Sequence, residues 1–368
     1  MSKSKGGMID KIKIYFPNSV FCGKADCWKK IKENRYTETY KYARKSLSHP
    51  HSLILEFNKG KKHITIMGSL RKWLLGETSL VDLTERSMNR IAELLADSLN
   101  MPLTEFLKGK ITQCEIGLNV RTKISPLKIL PNIVAYKSFP RDDSYELDGT
   151  IYFGTKNSSR EIVIYDKSKE IISHYQGEDF RIVQNVQNAL ANKNYYFLRI
   201  EIKLPNQKSF KHLHFNQIKY FGDILLNWKG LYFLWVSEIK ELIYYSGITL
   251  SKEMNVNEYK TADMLQNSSY YSVMKNIEKY CRSKTSKGLK SKRHKERKLV
   301  KSVIEKYGNR KSYNAYTLKS DIAKTLLLIR RKENINLLFL CKTLWNVKYS
   351  IIIVIIRGKS KLYIYHIT

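Results

Sequence analysis

At 368 residues the chain is longer than one typical domain, which favours two cores, and its 43% hydrophobic residues are enough to bury them. Lys and Arg number 66 against 33 Asp and Glu, a net charge of +33, and a surface this positive attracts a polyanion, with nucleic acid the first candidate. No run approaches the roughly 18 apolar residues of a membrane-spanning helix, and the polar start MSKSKGGMID does not resemble a signal peptide, so we expect a cytoplasmic protein with no membrane partner.

Alternating apolar and polar residues, the pattern of half-buried strands, recur through the first half of the chain. Segments with this pattern are KIKIYF (11–16), LILEF (53–57), HITIM (63–67), QCEIGLNV (113–120), the hairpin within 150–171 and FLRIEIKL (197–204). A short helix is expected between Ser69 as N-cap and Gly76, and a longer one from Ser79 to Asn100, where Ser79 and Asp82 resemble a capping box. Strands with helices between them predict an α+β fold, an antiparallel sheet carrying helices on one face.

After Pro205 the pattern becomes helical, over 218–245 and again around 298–307 and 320–331, which predicts a mainly helical C-terminal region. Residues 282–298 hold nine Lys or Arg in seventeen positions, as in a solvated linker or in the start of a DNA-contacting helix. The candidate DNA contacts in this run are Lys290, Lys292, Arg293, Lys295, Arg297 and Lys298. The last stretch, YSIIIVIIRGKSKLYIYHIT, resembles a terminal strand pair or an out-of-register tail.

Because side chains alternate along a strand, the letters also give the face on which each residue lies. In QCEIGLNV the apolar side chains share one face and Glu115 lies on the other, and in FLRIEIKL the same holds for Glu201. In REIVIYDK the face opposite the isoleucines carries Tyr165 and Lys167. If these strands share one sheet, its polar face brings two carboxylates, a phenol and an ammonium group together.

Phosphodiester chemistry uses side chains of these types. A tyrosine hydroxyl can attack a phosphodiester and hold its 5′-phosphate as a phosphotyrosine, which frees a 3′-hydroxyl. Two carboxylates can hold Mg²⁺ or Mn²⁺, and we expect Glu115 and Glu201 to do so. We expect Lys167 to stabilise phosphate charge and to lower the pKa of Tyr165. Taken alone, each residue is better explained by a solvated strand position or by β-propensity, so the prediction depends on their sharing one face.

Several ordered motifs over residues 8–205 resemble those of the filamentous-phage gene II protein and related phage and plasmid rolling-circle replication initiators. These motifs are MIDKIKI, GSLRKWLLGET (68–78), QCEIGLNV, GTIYFGTKNSSREIVIYDKSKE and LRIEIKL. The family's Y-x-K-x-x-E motif matches Tyr165, with Lys167 and Glu170 as its companions. Glu115 matches an acidic strand position, and Glu201 matches the Glu of a later R-x-E strand.

The resemblance implies a site-specific single-strand endonuclease and ligase that nicks a plus origin, primes replication from the 3′ end and rejoins the displaced circle. Its substrate would be single-stranded or supercoiled origin DNA. The expected protein partner is a host helicase, and the chain could also form a homodimer. On this basis we assign residues 1–207 to a catalytic nicking domain and 208–349 to a helical, basic DNA-recognition or accessory domain. Residues 350–368 form a tail without an assigned role.

Other interpretations stay open. Related initiators often carry a His-hydrophobe-His metal pair ahead of the tyrosine, and two pairs are candidates here: His49 with His51, and His212 with His214. Many also place the nucleophile on a helix, so Tyr271, with Lys275 one turn on, is a rival to Tyr165. A mobilisation relaxase would use the same chemistry in conjugation, and a basic DNA-binding regulator without catalytic activity would share the charge.

Overall fold

A computed structural model describes most of the chain. It covers residues 8–44, 47, 50–137, 139–141, 149–154, 160–175, 184, 187–188, 195–212, 218–245, 247–268, 270–282, 288–308, 315–333, 349–356 and 359–366. His49 and His214, each one half of a predicted ligand pair, lie outside these residues. Within them, no helix is long and apolar enough to cross a bilayer.

The strands of the described residues confirm the alternating segments read from the sequence. They are β1 (Ile9–Phe16), β2 (Lys29–Glu33), β3 (Thr37–Ala43), β4 (Ser52–Asn58), β5 (His63–Ser69), β6 (Lys110–Thr122), β7 (Ile133–Tyr136), β8 (Phe139–Pro140), β9 (Thr150–Phe153), β10 (Glu161–Asp166), β11 (Tyr196–Leu204), β12 (Leu242–Tyr244), β13 (Tyr349–Ile356) and β14 (Lys359–His366). Strands β2 and β3 are not predicted, because KKIKE and TETYKYA carry too few apolar residues to show the alternation.

Nine of these strands form one sheet in the order β2-β3-β4-β5-β1-β6-β11-β10-β9. Every neighbouring pair in it is antiparallel, as the sequence predicts. Strands β12, β7 and β8 make a smaller sheet, and β13 pairs with β14, which confirms the terminal strand pair.

The helices with described bounds connect and cover these strands. They are α1 (Leu70–Leu75), α2 (Glu85–Ser98), α3 (Leu103–Leu107), α4 (Pro126–Ile129), α5 (Lys167–Tyr175), α6 (Gln207–His212), α7 (Phe221–Leu226), α8 (Trp228–Ile239), α9 (Val256–Asn267), α10 (Tyr270–Arg282), α11 (Gly288–Tyr307) and α12 (Ala315–Glu333). Ser69 caps α1 as predicted, since its side chain accepts a hydrogen bond from the backbone N–H of Lys72, and Gly76 ends the helix at a positive φ of 88°.

A hydrophobic core lies between one face of the large sheet and helices α2, α7, α8 and α12. Side chains such as Ile66 and Ile200 supply the sheet side, and α8 supplies the buried rings of Trp228 and Trp235. The indole N–H of Trp235 donates to the carbonyl oxygen of Ile200 at 3.1 Å, which satisfies the polar end of a buried ring. Helices from beyond residue 207 therefore help to cover the sheet. The division of the chain into domains at that residue stays a prediction.

Helix α2 begins at Glu85 rather than at Ser79, so the predicted capping box is wrong. Thr84 caps the helix instead, because its hydroxyl oxygen accepts from the N–H of Ser87 at 2.9 Å. Asp82 is not available for capping, since its carboxylate accepts from the backbone N–H of Asn119 at 2.9 Å. Helical periodicity predicts 218–245 as one helical stretch, but Leu242–Tyr244 leaves it to pair with β7.

Helices α9, α10 and α11 pack around a second apolar cluster, together with β12. From α11 the cluster takes Val300, Val303 and Ile304, all in the second half of that helix. The basic run is therefore helical from Gly288 onward rather than a plain linker. Ahead of these apolar residues the helix carries the exposed side chains of Lys292, Lys295 and Lys298, at intervals of three residues.

Candidate active site

Strands β6, β11 and β10 lie side by side and bring the predicted polar face together. The register aligns Tyr165 on β10 with Arg199 on β11, and Arg199 with Asn119 on β6. Glu201 lies two residues beyond Arg199, and Glu115 lies on the same face of β6. The opposite faces of these strands enter the hydrophobic core. The predicted sharing of one face by the phenol and the two carboxylates agrees with this register.

Tyr165 and Glu201 are in direct contact. The hydroxyl of Tyr165 donates a hydrogen bond to Oε1 of Glu201 over 3.0 Å; the ring is half-buried and the carboxylate only 5% exposed. Burial and the charge of Glu201 raise the pKa of Tyr165 well above its usual value, and they outweigh the opposing charge of Arg199. The pKa is therefore raised, not lowered as predicted, so the phenol is protonated at neutral pH. A hydroxyl of this kind needs a base, and Glu201 is placed to be that base.

Arg199 is the buried centre of the site, although its local sequence does not mark it as a site residue. Its guanidinium is fully buried and forms ion pairs with Glu201 (Nε, 2.7 Å), Asp82 (Nη1, 2.6 Å) and Asp10 (Nη2, 2.7 Å). Nη1 also donates to the side-chain oxygen of Asn119 at 3.1 Å. The bond from Nε is to Oε1, the same oxygen that accepts from Tyr165. Arg199 thus fixes the position of the oxygen that faces the phenol.

Gly117 explains how this guanidinium fits over the sheet. A Cβ at Gly117 would lie 2.8 Å from Nη2 of Arg199 and 2.9 Å from Cγ of Glu201, closer than packed atoms come. Glycine in a strand interior often marks such a close approach. The glycine in the QCEIGLNV motif therefore leaves room for the guanidinium of Arg199, which pairs with Asp82 and Asp10.

Asp10, the acidic residue of the MIDKIKI motif, connects the N-terminal end of α1 with the site through hydrogen bonds. It accepts hydrogen bonds from the hydroxyl of Ser69 and, at 3.2 Å, from Nε of Arg71. Burial acts to raise its pKa, but the guanidinium groups of Arg71 and Arg199 hold that pKa well below its usual range. Arg71 is itself fully buried and donates through Nη1 to the carbonyl oxygen of Ser79 at 2.8 Å. The motifs MIDKIKI and GSLRKW thus meet in one buried ion-pair network.

Lys167 begins helix α5 instead of continuing strand β10. The turn follows from Asp166, whose Oδ1 accepts from the backbone N–H groups of Ser168 and Lys169 at 3.0 and 3.1 Å, as an N-cap does. One helical turn then places Glu170 against Lys167, and the two side chains form an ion pair. The spacing of the Y-x-K-x-x-E motif is explained by a strand end, a cap and the first turn of a helix.

The ammonium group of Lys167 lies close to the nucleophile candidate. Its Nζ is 5.8 Å from the ring centroid of Tyr165, and the side chain is fully buried. Burial, with the charge of Arg71, lowers the pKa of Lys167 to about 8. Lys72 on α1 reaches Glu170 from the other side at 3.3 Å. A lowered pKa of a buried lysine beside a candidate nucleophile is typical of groups that take part in proton or charge transfer.

Glu115 and Glu201 on adjacent strands are the candidate metal ligands. Burial and the charge of Glu201 raise the pKa of Glu115 to about 7. Two mutually repelling carboxylates fit a hard divalent cation, and Mg²⁺ is often held by one or two carboxylates, with substrate phosphates and waters as its other ligands. Oε1 of Glu201 is engaged by Tyr165 and Arg199, which leaves Oε2 as a donor. No group of three or more His, Cys, Asp or Glu able to hold a metal occurs among the described residues.

Among the four candidate histidines, contacts are described for the side chain of His51. Nδ1 of His51 is 2.6 Å from Oε1 of Glu77, and Nε2 of His174 is 3.3 Å from Oε2 of the same carboxylate. His212 ends helix α6, and Tyr271, the rival nucleophile, lies in the first turn of α10. The roles of both His pairs and of Tyr271 stay predictions.

The functional residues that sequence reasoning misses are Arg199, Asp10 and Asp82. Register alone already places Arg199 beside Glu201, on the face of the predicted site. Its partners Asp10 and Asp82 are 189 and 117 positions away in the chain, and no local sequence pattern predicts these contacts. The sequence does contain one indication of Arg199: it lies two residues before Glu201, on the polar face of the same strand.

Comparisons with known proteins agree with the motifs. A family model described as the N-terminal part of the replication-associated gene II protein matches residues 8–223, more than half of the chain. The comparison with curated proteins finds no match. A solved structure described as a rolling circle replication initiator protein from Geobacillus stearothermophilus is similar at 13% identity, over 67% of this chain and 88% of that chain, with a TM-score of 0.35. The chain belongs to the family of replication-associated proteins that the gene II N-terminal model describes.

Proposed function

We propose that this protein initiates rolling-circle replication by nicking one strand of its origin with Tyr165 as the nucleophile. The observation that carries the proposal is the 3.0 Å hydrogen bond from the Tyr165 hydroxyl to Glu201, on the face that also holds Glu115. Membership of the replication-associated family and the net charge of +33 support DNA as the substrate. The Y-x-K-x-x-E motif matches at Tyr165, Lys167 and Glu170.

The first step transfers the phenolic proton of Tyr165 to Glu201 while the phenolic oxygen attacks the scissile phosphorus. The bond from phosphorus to the 3′-oxygen breaks, and that oxygen takes up a proton from solvent to become the 3′-hydroxyl primer. The products are a 5′-phosphotyrosine and a free 3′ end. Rejoining reverses the step: a 3′-hydroxyl attacks the phosphorus and gives its proton to solvent, the bond from phosphorus to the Tyr165 oxygen breaks, and Glu201 returns a proton to that oxygen.

Lys167 and Arg199 have separate tasks in this scheme. Lys167, with its ammonium group 5.8 Å from the Tyr165 ring centroid and its side chain also fully buried, stabilises negative charge as it develops on the phenol. Arg199 is fully buried, so it acts on the substrate only through Glu201, as a positioning residue. Glu115 and Glu201 would hold Mg²⁺ or Mn²⁺, which supplies Lewis-acid polarisation of the phosphate when bound.

The test is nicking of supercoiled origin plasmid by wild-type protein and by Tyr165→Phe. The Phe variant keeps the ring and loses only the attacking oxygen, so we expect nicking and covalent 5′ attachment to disappear while DNA binding stays. Tyr152→Phe, a strand tyrosine on neighbouring β9, is the matched control and should nick normally. Nicking with attached protein in Tyr165→Phe would remove Tyr165 from the role. Tight binding without metal-dependent cleavage in the wild type would favour the non-catalytic regulator.

A further inference from the structure

The polar face that carries Tyr165 continues across the sheet as far as its edge strand β2. Residues that are paired across neighbouring strands lie on the same face of the sheet. The register therefore allows the face of Glu115 on β6 to be followed through β1, β5 and β4 to β3. On this face β1 presents Lys11 and Lys13, β3 presents Lys41, and β2 presents Lys29 and Lys32. We call these five residues the lysine track.

The lysine track is not neutralised by the protein. Lys11, Lys29, Lys32 and Lys41 are exposed and Lys13 is half-buried, and none of the five forms an ion pair with the described residues. Lys29 and Lys41 are directly opposite each other in the register, an arrangement that destabilises a strand pair through like-charge repulsion. Glu56 is the one exposed acid on the β2 to β5 part of this face among the described residues, so a strong excess of positive charge remains.

The opposite face of the β2–β3 ribbon shows the contrast. There Lys30 contacts Glu33 at 3.0 Å and Glu38 at 2.9 Å, and Lys59 contacts Glu33 at 2.5 Å. In the β2–β3 ribbon, lysines are therefore neutralised on the side that leads to the core and left without acidic partners on the side that leads to Tyr165. An unpaired lysine row on one face only is the charge distribution that a bound polyanion requires.

The track also has the dimensions and chemistry of a duplex backbone site. Along the surface of the twisted sheet, seven strand intervals separate β2 from β10, about 34 Å at about 4.8 Å each, and this contour length is that of about ten base pairs at 3.4 Å. On β2 and β3, the outer part of the track, this face carries Lys, Thr and Ala with no aromatic ring on which an unpaired base could stack. Tyr15 on β1 shares the face farther in, and its ring packs against His63 of β5. Phosphate contact without base reading therefore fits better than capture of a single strand.

We propose that the lysine track binds the phosphate backbone of the duplex that flanks the nick, about one helical turn from Tyr165, without reading its sequence. Lys11 marks the inner end of the track, since its charge acts on the Glu115 carboxylate. This proposal rests on the proposed nicking function for its orientation. The lysines of α11 are a separate basic surface, on a different element.

The test compares two triple variants of equal charge change, both carrying Tyr165→Phe so that no DNA is cleaved. Lys29→Gln/Lys32→Gln/Lys41→Gln removes the outer track. Lys24→Gln/Lys30→Gln/Lys59→Gln removes three lysines that are paired with acids. Binding to a 30-base-pair origin duplex is measured from low to moderate salt. The track variant should lower the slope of log K against log salt by about 2.7, that is about 0.9 for each phosphate that is no longer neutralised, and equally on a scrambled duplex.

Three outcomes would overturn the proposal. The track variant could keep the slope of the parent protein, the control variant could lose as much as the track variant, or the loss could be confined to single-stranded DNA. Circular dichroism melting of both variants checks that the exposed substitutions leave the fold intact. The same lysine substitutions with Tyr165 restored are then assayed for nicking of a short single-stranded origin oligonucleotide, which should be unchanged. If the wild type does not nick at all, the proposed function fails, while the salt slopes still decide on the track.

Discussion

Replacing Arg199 by Lys tests whether the buried guanidinium organises the site. Lys keeps the positive charge but offers one nitrogen, whereas Arg199 uses three nitrogens to reach Asp10, Asp82 and Glu201 at 2.6 to 2.7 Å. At least one of the three buried carboxylates then loses its partner. Breaking a buried ion pair by removing one partner costs about 3–5 kcal/mol, and each hydrogen bond to a charged group alone is worth about 1.5–3 kcal/mol.

We therefore expect Arg199→Lys to lower the free energy of unfolding by about 3–5 kcal/mol in urea titrations. The matched control is Arg90→Lys on the surface of α2, where Arg90 pairs with Glu93 and its side chain is 62% exposed. That change should stay within about 0.5 kcal/mol. A decrease below about 1 kcal/mol in Arg199→Lys would contradict the buried network as described.

A second readout separates positioning from stability. At a temperature where Arg199→Lys is folded, single-turnover nicking should fall about 100-fold, because Oε1 of Glu201 loses the group that holds it against the phenol. Affinity for origin DNA should not change, since Arg199 is buried away from any substrate. An unchanged nicking rate in the folded variant would leave Arg199 with a structural role only.

Three further predictions concern the chemistry. Glu201→Gln keeps the shape but removes the proposed base together with one proposed metal ligand, so single-turnover nicking should fall at least about 10²–10⁴-fold at unchanged DNA affinity. A rate near that of the wild type would exclude Glu201 as the base. The nicking rate should increase as pH rises through about 7, where Glu115 loses its proton, and decrease above about 8, where Lys167 loses its charge. Glu115→Gln should abolish the increase on the acid side of the pH–rate profile, and Lys167→Arg should move the decrease on the basic side to higher pH. A profile that neither change affects would assign both pH dependences to other groups. Removal of divalent cations with EDTA should stop nicking and Mg²⁺ or Mn²⁺ should restore it, with more metal needed in Glu115→Ala; full activity in EDTA would contradict a metal site.

The polar face could be predicted from the sequence because its residues follow the two-residue period of strands. That period is local, so it assigns Tyr165, Glu201 and Glu115 to one face before any pairing is known. The same argument wrongly extends strand β10 to Lys167, because Asp166 caps a helix at that point. A capping side chain and an alternating strand residue look alike in the sequence.

The buried half of the site could not be predicted in this way. Asp10 lies on β1, Asp82 in a loop before α2 and Arg199 on β11, so their contact depends on the order of strands in the sheet. Asp82 also resembles a helix-capping residue, and only the guanidinium of Arg199 and the N–H of Asn119 account for its actual position. Long-range ion pairs of this kind depend on the order of the strands, and the local periodicity of the sequence carries no information about that order.

Peptide mapping of the covalent protein–DNA product tests the central claim most directly. Wild-type protein is incubated with single-stranded origin DNA and Mg²⁺, digested with a protease, and the peptide that retains the nucleotide is sequenced by mass spectrometry. We predict that the nucleotide is attached to Tyr165, within the segment EIVIYDK. Attachment to a peptide that contains Tyr271 or any other tyrosine, or nicking without a covalent product, would contradict it.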